Sequence, residues 1–460
     1  MLFNKSAVKI TEGKILPNAL RYTIPIILTN LLQILYNSAD MLVLGNYCQN
    51  DSAFGAVGCT SALISLILSL FVGFGAAINV VVSKAIGANN KNLTQRTVHT
   101  AVLLAVILGI TVSIIGYVFT PTFLTWMGTD IVYFDGAVKY MRIYFCGSVA
   151  NLMYFFCAGI LRAKGDTVRP LMFSSIGGLC NVLLNLFFVL VFGMDVDGVA
   201  IATVSAQVIQ SVLILVYMMR SKSDDPCALR FKRLRFDTHI FMELVRIGIP
   251  LGIRGSIFGL SNVIIQSGVN SLDPICVTAN SAAGSVETYI YNTLNAFHHT
   301  ALTFTSQNYG ARKFKRMKKS IYTLLGTVAV IGIVMGVFTI AFAEPLISIF
   351  KNDPEVIAIA KIKMLWVALP YFTCGIMEVL SAALVSLGQA GLSTVASLIG
   401  ICGIRIAWVS TVFQMNKSLS TLFMAFPISW VLTSIVLYIM MLYCYRKKKT
   451  YFEEAELAEA

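Results

Sequence analysis

Apolar residues run in long stretches along this chain, and short polar tracts separate them. A helix of about 20 apolar residues is long enough to cross the hydrocarbon core of a bilayer. Twelve stretches meet that length and predict twelve transmembrane helices, at 15–43, 54–83, 98–120, 136–161, 170–193, 198–219, 241–268, 279–308, 320–343, 357–386, 391–413 and 419–445. The predicted fold class is therefore an all-α polytopic membrane protein.

The chain also repeats itself. Motifs of the first half recur in the second half, with the pairs Pro25 and Pro250, Gly87 and Gly310, Pro121 and Pro345, and Gly165 and Gly388. Each half holds six spans, an even number, so both halves insert in the same orientation and form a parallel repeat, as in many transporters. We therefore expect two pseudo-symmetric six-helix lobes, 1–219 and 241–460, joined by a basic cytoplasmic linker, 220–240.

The composition is typical of a membrane protein, and the distribution of Lys and Arg predicts its orientation in the membrane. Apolar residues make up 57% of the 460 residues and charged residues 12%, whereas soluble domains carry about 25% charged residues. Most Lys and Arg lie in the termini and in the loops after even-numbered spans, among them Lys5, Lys9, the run 312–319 and the run 446–449. The positive-inside rule then places both termini in the cytoplasm. Because the net charge of +13 is scattered over many loops, nucleic-acid binding is not expected.

Three carboxylates lie inside the predicted spans and away from the span ends: Asp40, Glu287 and Glu378. A charged group in hydrocarbon costs at least a few kcal/mol, so each needs a partner or a wet cavity and is a functional candidate. Asp40 follows Tyr36 by four residues and Gln33 by seven, which predicts a polar stripe on one face of the first helix. Pro25 removes a backbone hydrogen bond midway along this helix and predicts a kink.

In the second half, Glu287 shares a helix face with Tyr291 and His298. A carboxylate, an aromatic ring and a titratable ring are the groups that hold and release an organic cation. The alternative is a structural ion pair with Arg254 in the neighbouring span. Glu378 has the same two interpretations, a binding or coupling role or an ion pair with Arg405.

Several segments together resemble the multidrug and toxic compound extrusion (MATE) family, in the branch that includes DinF-like and staphylococcal multidrug exporters. They are IPIILTNLLQILYNSADMLVLG, VVVSKAIGANN, LRAKGDTVRP, NSAAGSVETYIYNTLNAF with LTFTSQNYGA, and GICGIRIAW. The similarity extends through all twelve spans. It implies two six-helix lobes, alternating access, and export driven by a proton or sodium gradient across a bacterial plasma (inner) membrane.

The resemblance also gathers five residues into one polar, ion-coupling site in the first lobe: Tyr36, Asp40, Asn181, Asn185 and Thr203. The alternative is that these amides and hydroxyls only join helices to one another. Many family members carry Asp where this chain has Asn185, so a proton relay through two carboxylates is in doubt. One carboxylate with amide and hydroxyl oxygens can bind Na⁺ or titrate alone.

These features predict a secondary antiporter that exports cationic amphipathic compounds in exchange for H⁺ or Na⁺. The expected cargo-binding residues are Gln33, Glu287, Tyr291, His298 and Glu378. No cofactor, catalytic residue or metal site is expected, and the expected partners are small organic cations and the bilayer, with the chain as a monomer. The alternative function is a flippase for lipid-linked precursors, which would need a cationic cavity; few buried basic residues are expected here. A membrane enzyme is disfavoured because the histidines lack a nearby nucleophile motif.

Overall fold

A computed structural model describes residues 7–47, 52–222 and 224–459, so Lys5 lies outside the described residues. Within these ranges the regular structure is helical. The α-helices are α1 Ile15–Tyr47, α2 Ser52–Gly87, α3 Lys91–Trp126, α4 Ile131–Cys146, α5 Ser148–Ala163, α6 Val168–Leu186, α7 Val196–Arg220, α8 Thr238–Asn270, α9 Pro274–Gly310, α10 Phe314–Ala341, α11 Ala343–Ser348, α12 Pro354–Lys363, α13 Tyr371–Ser386, α14 Ala390–Ser397, α15 Ile404–Ser410, α16 Val412–Met415, α17 Leu419–Phe423 and α18 Ala425–Glu459.

The helices match the predicted spans, and the all-α polytopic fold is confirmed. In the described chain, ten helical segments are long and apolar enough to cross a membrane, and α4 with α5 adds an eleventh as a bent pair. The remaining predicted span, 279–308, lies within α9. This helix is 37 residues long but more polar than the others, which is why its length rather than its hydropathy marks it as a span.

The backbone carries the internal repeat that the motifs predict. Gly165 and Gly388 occupy matching turns, and both have positive φ, at 94° and 86°. Glycine tolerates this conformation because it has no Cβ. Asn89 and Arg312, also a matched pair, share a φ of 53° at the ends of α2 and α9. The two halves therefore repeat at the level of individual turns.

Among the described residues, three spans contain a π-helical segment, in which backbone hydrogen bonds join residues five apart instead of four. These segments are Phe187–Val191, Met364–Ala368 and Leu398–Gly403. Each lies within two residues of a polar side chain inside a span: Asn185, Lys363 and Arg405, respectively. Short π segments are rare and often mark functional sites, because the inserted residue re-aims the side chains around it.

The described residues form two compact units. The first unit contains residues 28–248 with residues 7–8, and the second contains residues 9–27 and 249–459. In the first unit, α2 and α5 pack so closely that a Cβ on Gly159 would lie 2.5 Å from the carbonyl oxygen of Gly75. In the second unit, hydroxyl pairs hold α1 to α9: Tyr22 with Thr303 at 2.6 Å and Thr23 with Thr300 at 2.7 Å.

Candidate functional site

The first unit brings Asp40 of α1 together with Asn185 of α6. The Asn185 side-chain amide donates a hydrogen bond to Asp40 Oδ1. Asp40 is half-buried, whereas Asn185 is fully buried. The Asn185 carbonyl oxygen Oδ1 is also buried and has no hydrogen-bond partner in the part of the chain that the structure describes. A carboxylate and an unused amide oxygen thus lie side by side.

Asn181 and Thr203, which the resemblance places in the same group, extend this site. Asn181 lies against Asp40 and its amide donates to the Thr203 hydroxyl at 3.4 Å. Thr203 in turn donates to the backbone oxygen of Val199 at 2.9 Å. The site therefore spans α1, α6 and α7 and offers several oxygen atoms around a single carboxylate.

Tyr140 and Tyr144 of α4 belong to the same region and are not singled out by the sequence. Tyr140 contacts Thr203, Tyr144 contacts Gln207, and the two rings stack with centroids 6.3 Å apart. Their spacing of four residues places them on one helix face. That spacing is the signal that would have found them.

Two predicted residues lie less centrally. The Tyr36 hydroxyl donates to the backbone oxygen of Ser175 at 3.3 Å, and its ring covers Gly178 so closely that a Cβ there would overlap it. Tyr36 therefore joins α1 to α6 through the backbone. Gln33 is exposed and belongs to the first unit, apart from the other cargo residues predicted with it.

Asp40 has no basic partner among the residues that the structure describes. Neutral amide groups supply its contacts instead. A carboxylate that accepts hydrogen bonds from neutral donors keeps its capacity to take up a proton or a small cation. Chemically, this arrangement can accept one positive charge.

The second unit arranges its carboxylates differently. Glu287 of α9 forms an ion pair with Lys363 of α12 at 3.1 Å, and Lys363 also donates to the backbone oxygen of Asn280 at 3.3 Å. The alternative considered for Glu287, a structural ion pair, is thus present, but its partner is Lys363 and not Arg254. Lys363 follows Lys361 at the start of a span and resembles an interfacial residue in the sequence, but its side chain points inward and is only 6% exposed.

Glu378 of α13 pairs with Arg254 of α8, with Oε1 and Nη2 2.6 Å apart. His298 Nδ1 lies 3.0 Å from the other carboxylate oxygen of Glu378. Of the two alternatives for Glu378, the structure shows an ion pair, but with Arg254 and not Arg405. His298 lies beside Glu378 rather than Glu287. Tyr291 packs on Phe258, with ring centroids 6.0 Å apart. The acidic and basic groups were correctly placed inside the spans, but their pairing depends on helix rotations that the sequence does not specify.

Arg405 of α15 is 1% exposed and has only neutral hydrogen-bond partners. Its guanidinium donates to the hydroxyls of Ser261 at 2.8 Å and Ser429 at 3.2 Å. It also lies over the ring of Phe426 at 4.1 Å. The buried Lys and Arg side chains of the described chain are few, as expected, and all three lie in the second unit: Arg254, Lys363 and Arg405.

Comparisons with known proteins identify the chain's relatives. The MatE family model matches residues 25–187 and 250–409. The probable multidrug resistance protein YoeA of Bacillus subtilis (strain 168) is 24% identical over 96% of this chain and 97% of that protein. The FAD transporter of Shewanella oneidensis is 23% identical over 72% of this chain and 74% of its own length. A solved outward-facing multidrug resistance MATE family transporter of the MOP superfamily superposes with a TM-score of 0.89 at 18% identity, covering 96% of this chain and 99% of that chain.

Proposed function

The chain belongs to the MATE family of multidrug efflux transporters, and from this premise we propose that it is a secondary antiporter that exports amphipathic organic compounds in exchange for H⁺ or Na⁺. It is a multi-pass membrane protein that acts on small molecules, and it is a transporter rather than an enzyme. The proposal adds the coupling ion, the class of cargo and the orientation of the chain.

The observation that carries the coupling proposal is the environment of Asp40. This carboxylate is half-buried and hydrogen-bonded to the neutral amide of Asn185. No cationic side chain in the described ranges neutralises Asp40, so an H⁺ or Na⁺ that enters in exchange for cargo can neutralise it. Burying a lone carboxylate costs a few kcal/mol, and binding the ion relieves that cost. Occupancy by the ion and occupancy by cargo can then favour different states of the transporter.

The cargo proposal rests on the second unit. Glu287 uses one carboxylate oxygen for Lys363, while its other oxygen, Oε1, is buried and has no hydrogen-bond partner among described residues. That oxygen can accept a cationic group of a bound compound, and Tyr291 lies one helical turn further along the same face. A lipid-linked precursor flippase is less well supported, because two of the three buried cations, Arg254 and Lys363, already have carboxylate partners.

The proposed setting is the bacterial plasma membrane, with both termini in the cytoplasm and the chain acting as a monomer. The orientation is supported by the excess of Lys and Arg in the termini and in the loops after even-numbered spans. A cysteine placed at Lys9 or Lys449 should resist an impermeant thiol reagent in intact cells. Labelling of either position would overturn the orientation.

Transport in proteoliposomes tests the function directly. The purified protein is reconstituted, a fluorescent organic cation is loaded, and a pH gradient and a Na⁺ gradient are imposed in separate runs. We expect one of the two gradients to drive net dye movement well above that of empty liposomes. Dye movement that ignores both gradients would overturn the antiport proposal.

A further inference from the structure

Arg405 stands apart from the other buried cations of the second unit. Arg254 has Glu378 at 2.6 Å and Lys363 has Glu287 at 3.1 Å. Arg405 has no carboxylate partner anywhere in the described chain. A guanidinium carries five N–H donors and a permanent charge. Neutral hydroxyls accept some of its hydrogen bonds but do not balance its positive charge.

The surroundings of Arg405 are rich in donors. Trp430 lies beside it, with the guanidinium 5.9 Å from the indole ring. The indole N–H of Trp430 is buried and has no acceptor among the residues that the structure describes. Buried donors are nearly always paired in native proteins, and an unpaired one calls for an explanation. Arg405 lacks a negatively charged partner and the indole N–H of Trp430 lacks an acceptor, and an anionic oxygen supplies both.

The cluster borders the molecular surface at one residue. Arg405 Nη1 donates to the side-chain oxygen of Asn262 at 3.3 Å, and Asn262 is exposed. An anion that approaches from this side would meet the amide of Asn262 before the guanidinium. The π-helical segment Leu398–Gly403 ends immediately before α15, which carries Arg405. The local backbone thus departs from regular α-helix where the side chain must be aimed.

We propose that Arg405 and Trp430 bind a carboxylate or phosphate group of an aromatic or amphipathic anion. The guanidinium supplies paired N–H donors that match two oxygens of such a group, and the indole supplies a third donor. Phe426 and Tyr371 pack on Trp430, with ring centroids 5.6 Å and 4.9 Å away, so the protein groups that border the two donors are aromatic, which fits an aromatic or amphipathic anion. That the bound anion is cargo rests on the proposed export function; that the site binds anions does not.

Equilibrium binding of two dyes tests the site. Fluorescein and rhodamine 123 share a xanthene ring system but are anionic and cationic, respectively, at pH 8. Each is titrated by fluorescence polarisation into the full chain in phosphatidylcholine nanodiscs, without any ion gradient. We expect Arg405→Gln to weaken fluorescein binding at least tenfold and to leave rhodamine 123 binding within twofold of the unsubstituted protein.

The matched control is Arg142→Gln. Arg142 also lies over an aromatic ring, that of Tyr117 at 5.1 Å, so the variant loses the same charge and the same type of contact in the first unit. It should bind both dyes normally. Undetectable fluorescein binding by the unsubstituted protein, fluorescein binding unchanged in Arg405→Gln, or an equal loss of both dyes would each overturn the proposal.

Trp430→Phe covers the case in which Arg405→Gln does not fold. It removes the indole N–H and keeps an aromatic ring, and we expect a several-fold loss of affinity for fluorescein alone. Unchanged fluorescein binding would overturn the role of Trp430 and, with it, the proposed site.

Nanodiscs that contain phosphatidylglycerol distinguish the two sources of anion, a lipid phosphate and a soluble compound. Suppressed fluorescein binding there assigns the site to a lipid phosphate, and undiminished binding assigns it to a soluble anion. Because no gradient is used, failure of antiport leaves these results unaffected.

Discussion

The two units repeat the same backbone but treat buried charge in different ways. Of the three carboxylates predicted inside the spans, the first unit holds Asp40, which is half-buried among neutral amides and hydroxyls. The second holds two ion pairs and a guanidinium without a carboxylate partner in the described chain. Ion pairs resist exchange because each charge already has a partner, whereas a lone carboxylate remains available. The difference suggests that ion coupling belongs to the first unit and cargo recognition to the second.

Removing the lone carboxylate is the strongest test of this comparison. Asp40→Asn keeps the shape of the side chain but cannot take up H⁺ or balance Na⁺, so gradient-driven efflux should fall to the level of empty liposomes. Asp135→Asn, an exposed carboxylate in α4 of the same unit, should transport normally. Normal pumping by Asp40→Asn would move coupling to the second unit and remove the proposed division of roles.

Breaking an ion pair in the second unit should damage stability before function. Glu378→Gln leaves the charge of Arg254 buried and without its partner, at a cost of about 3–5 kcal/mol. The double variant with Arg254→Gln should recover most of that loss in a thermal unfolding assay. The exposed pair of Glu344 with Lys361 is the matched control, where Glu344→Gln should cost less than about 1 kcal/mol. A stable Glu378→Gln protein would mean that this carboxylate is not needed as a structural partner.

Glu287 distinguishes a binding role from a structural one. Glu287→Gln should lower efflux of a cationic dye by about tenfold, equivalent to about 1.4 kcal/mol, because Coulomb attraction is strong where the effective dielectric is low. Efflux of a neutral dye should not change. If both dyes are lost together and Lys363→Gln restores them, Glu287 serves only to neutralise Lys363.

The smallest expected effect concerns the shared backbone. Asp130 and Asp353 occupy matching positions, and each accepts a hydrogen bond from the amide two residues ahead, at 2.9 Å and 3.0 Å. Substitution of either by Ala should cost about 1 kcal/mol, the usual value of a helix N-cap, and the two losses should be similar. Markedly unequal melting shifts would show that the halves differ in backbone stability as well as in charge.

Helix positions followed from the sequence because membrane spans are set by length and hydropathy. The predicted span 170–193, for example, falls inside the helical stretch that starts at Val168 and ends at Val191, apart from its last two residues. The resemblance to a known family, rather than spacing, indicated that Asp40, Asn181, Asn185 and Thr203 form one polar group. These contacts are local to a face and its nearest neighbours.

Charge pairing did not follow from the sequence. Arg254 and Arg405 were the candidate ion-pair partners of Glu287 and Glu378, respectively, whereas in the structure Arg254 pairs with Glu378 and Lys363 pairs with Glu287. Periodicity states which residues share a face, but the rotation of each helix decides which face meets which neighbour. The π-helical segments at Met364–Ala368 and Leu398–Gly403 add a local change of rotation beside Lys363 and Arg405. No regular 3.6-residue pattern reveals such a change.

The polar character of α9 has a consequence for biogenesis. This helix carries Glu287 and His298, and an isolated segment of this kind enters the bilayer less readily than its neighbours because charged residues oppose insertion. Its counter-ion, Lys363, lies in α12 and is synthesised later. At a synthesis rate of about 5–20 residues per second, Glu287 therefore has no counter-ion from Lys363 for several seconds. During that interval α9 must be sheltered by the insertion machinery or by α8. Nascent chains that end before Lys363 should therefore be more sensitive to membrane proteases than chains that extend beyond it.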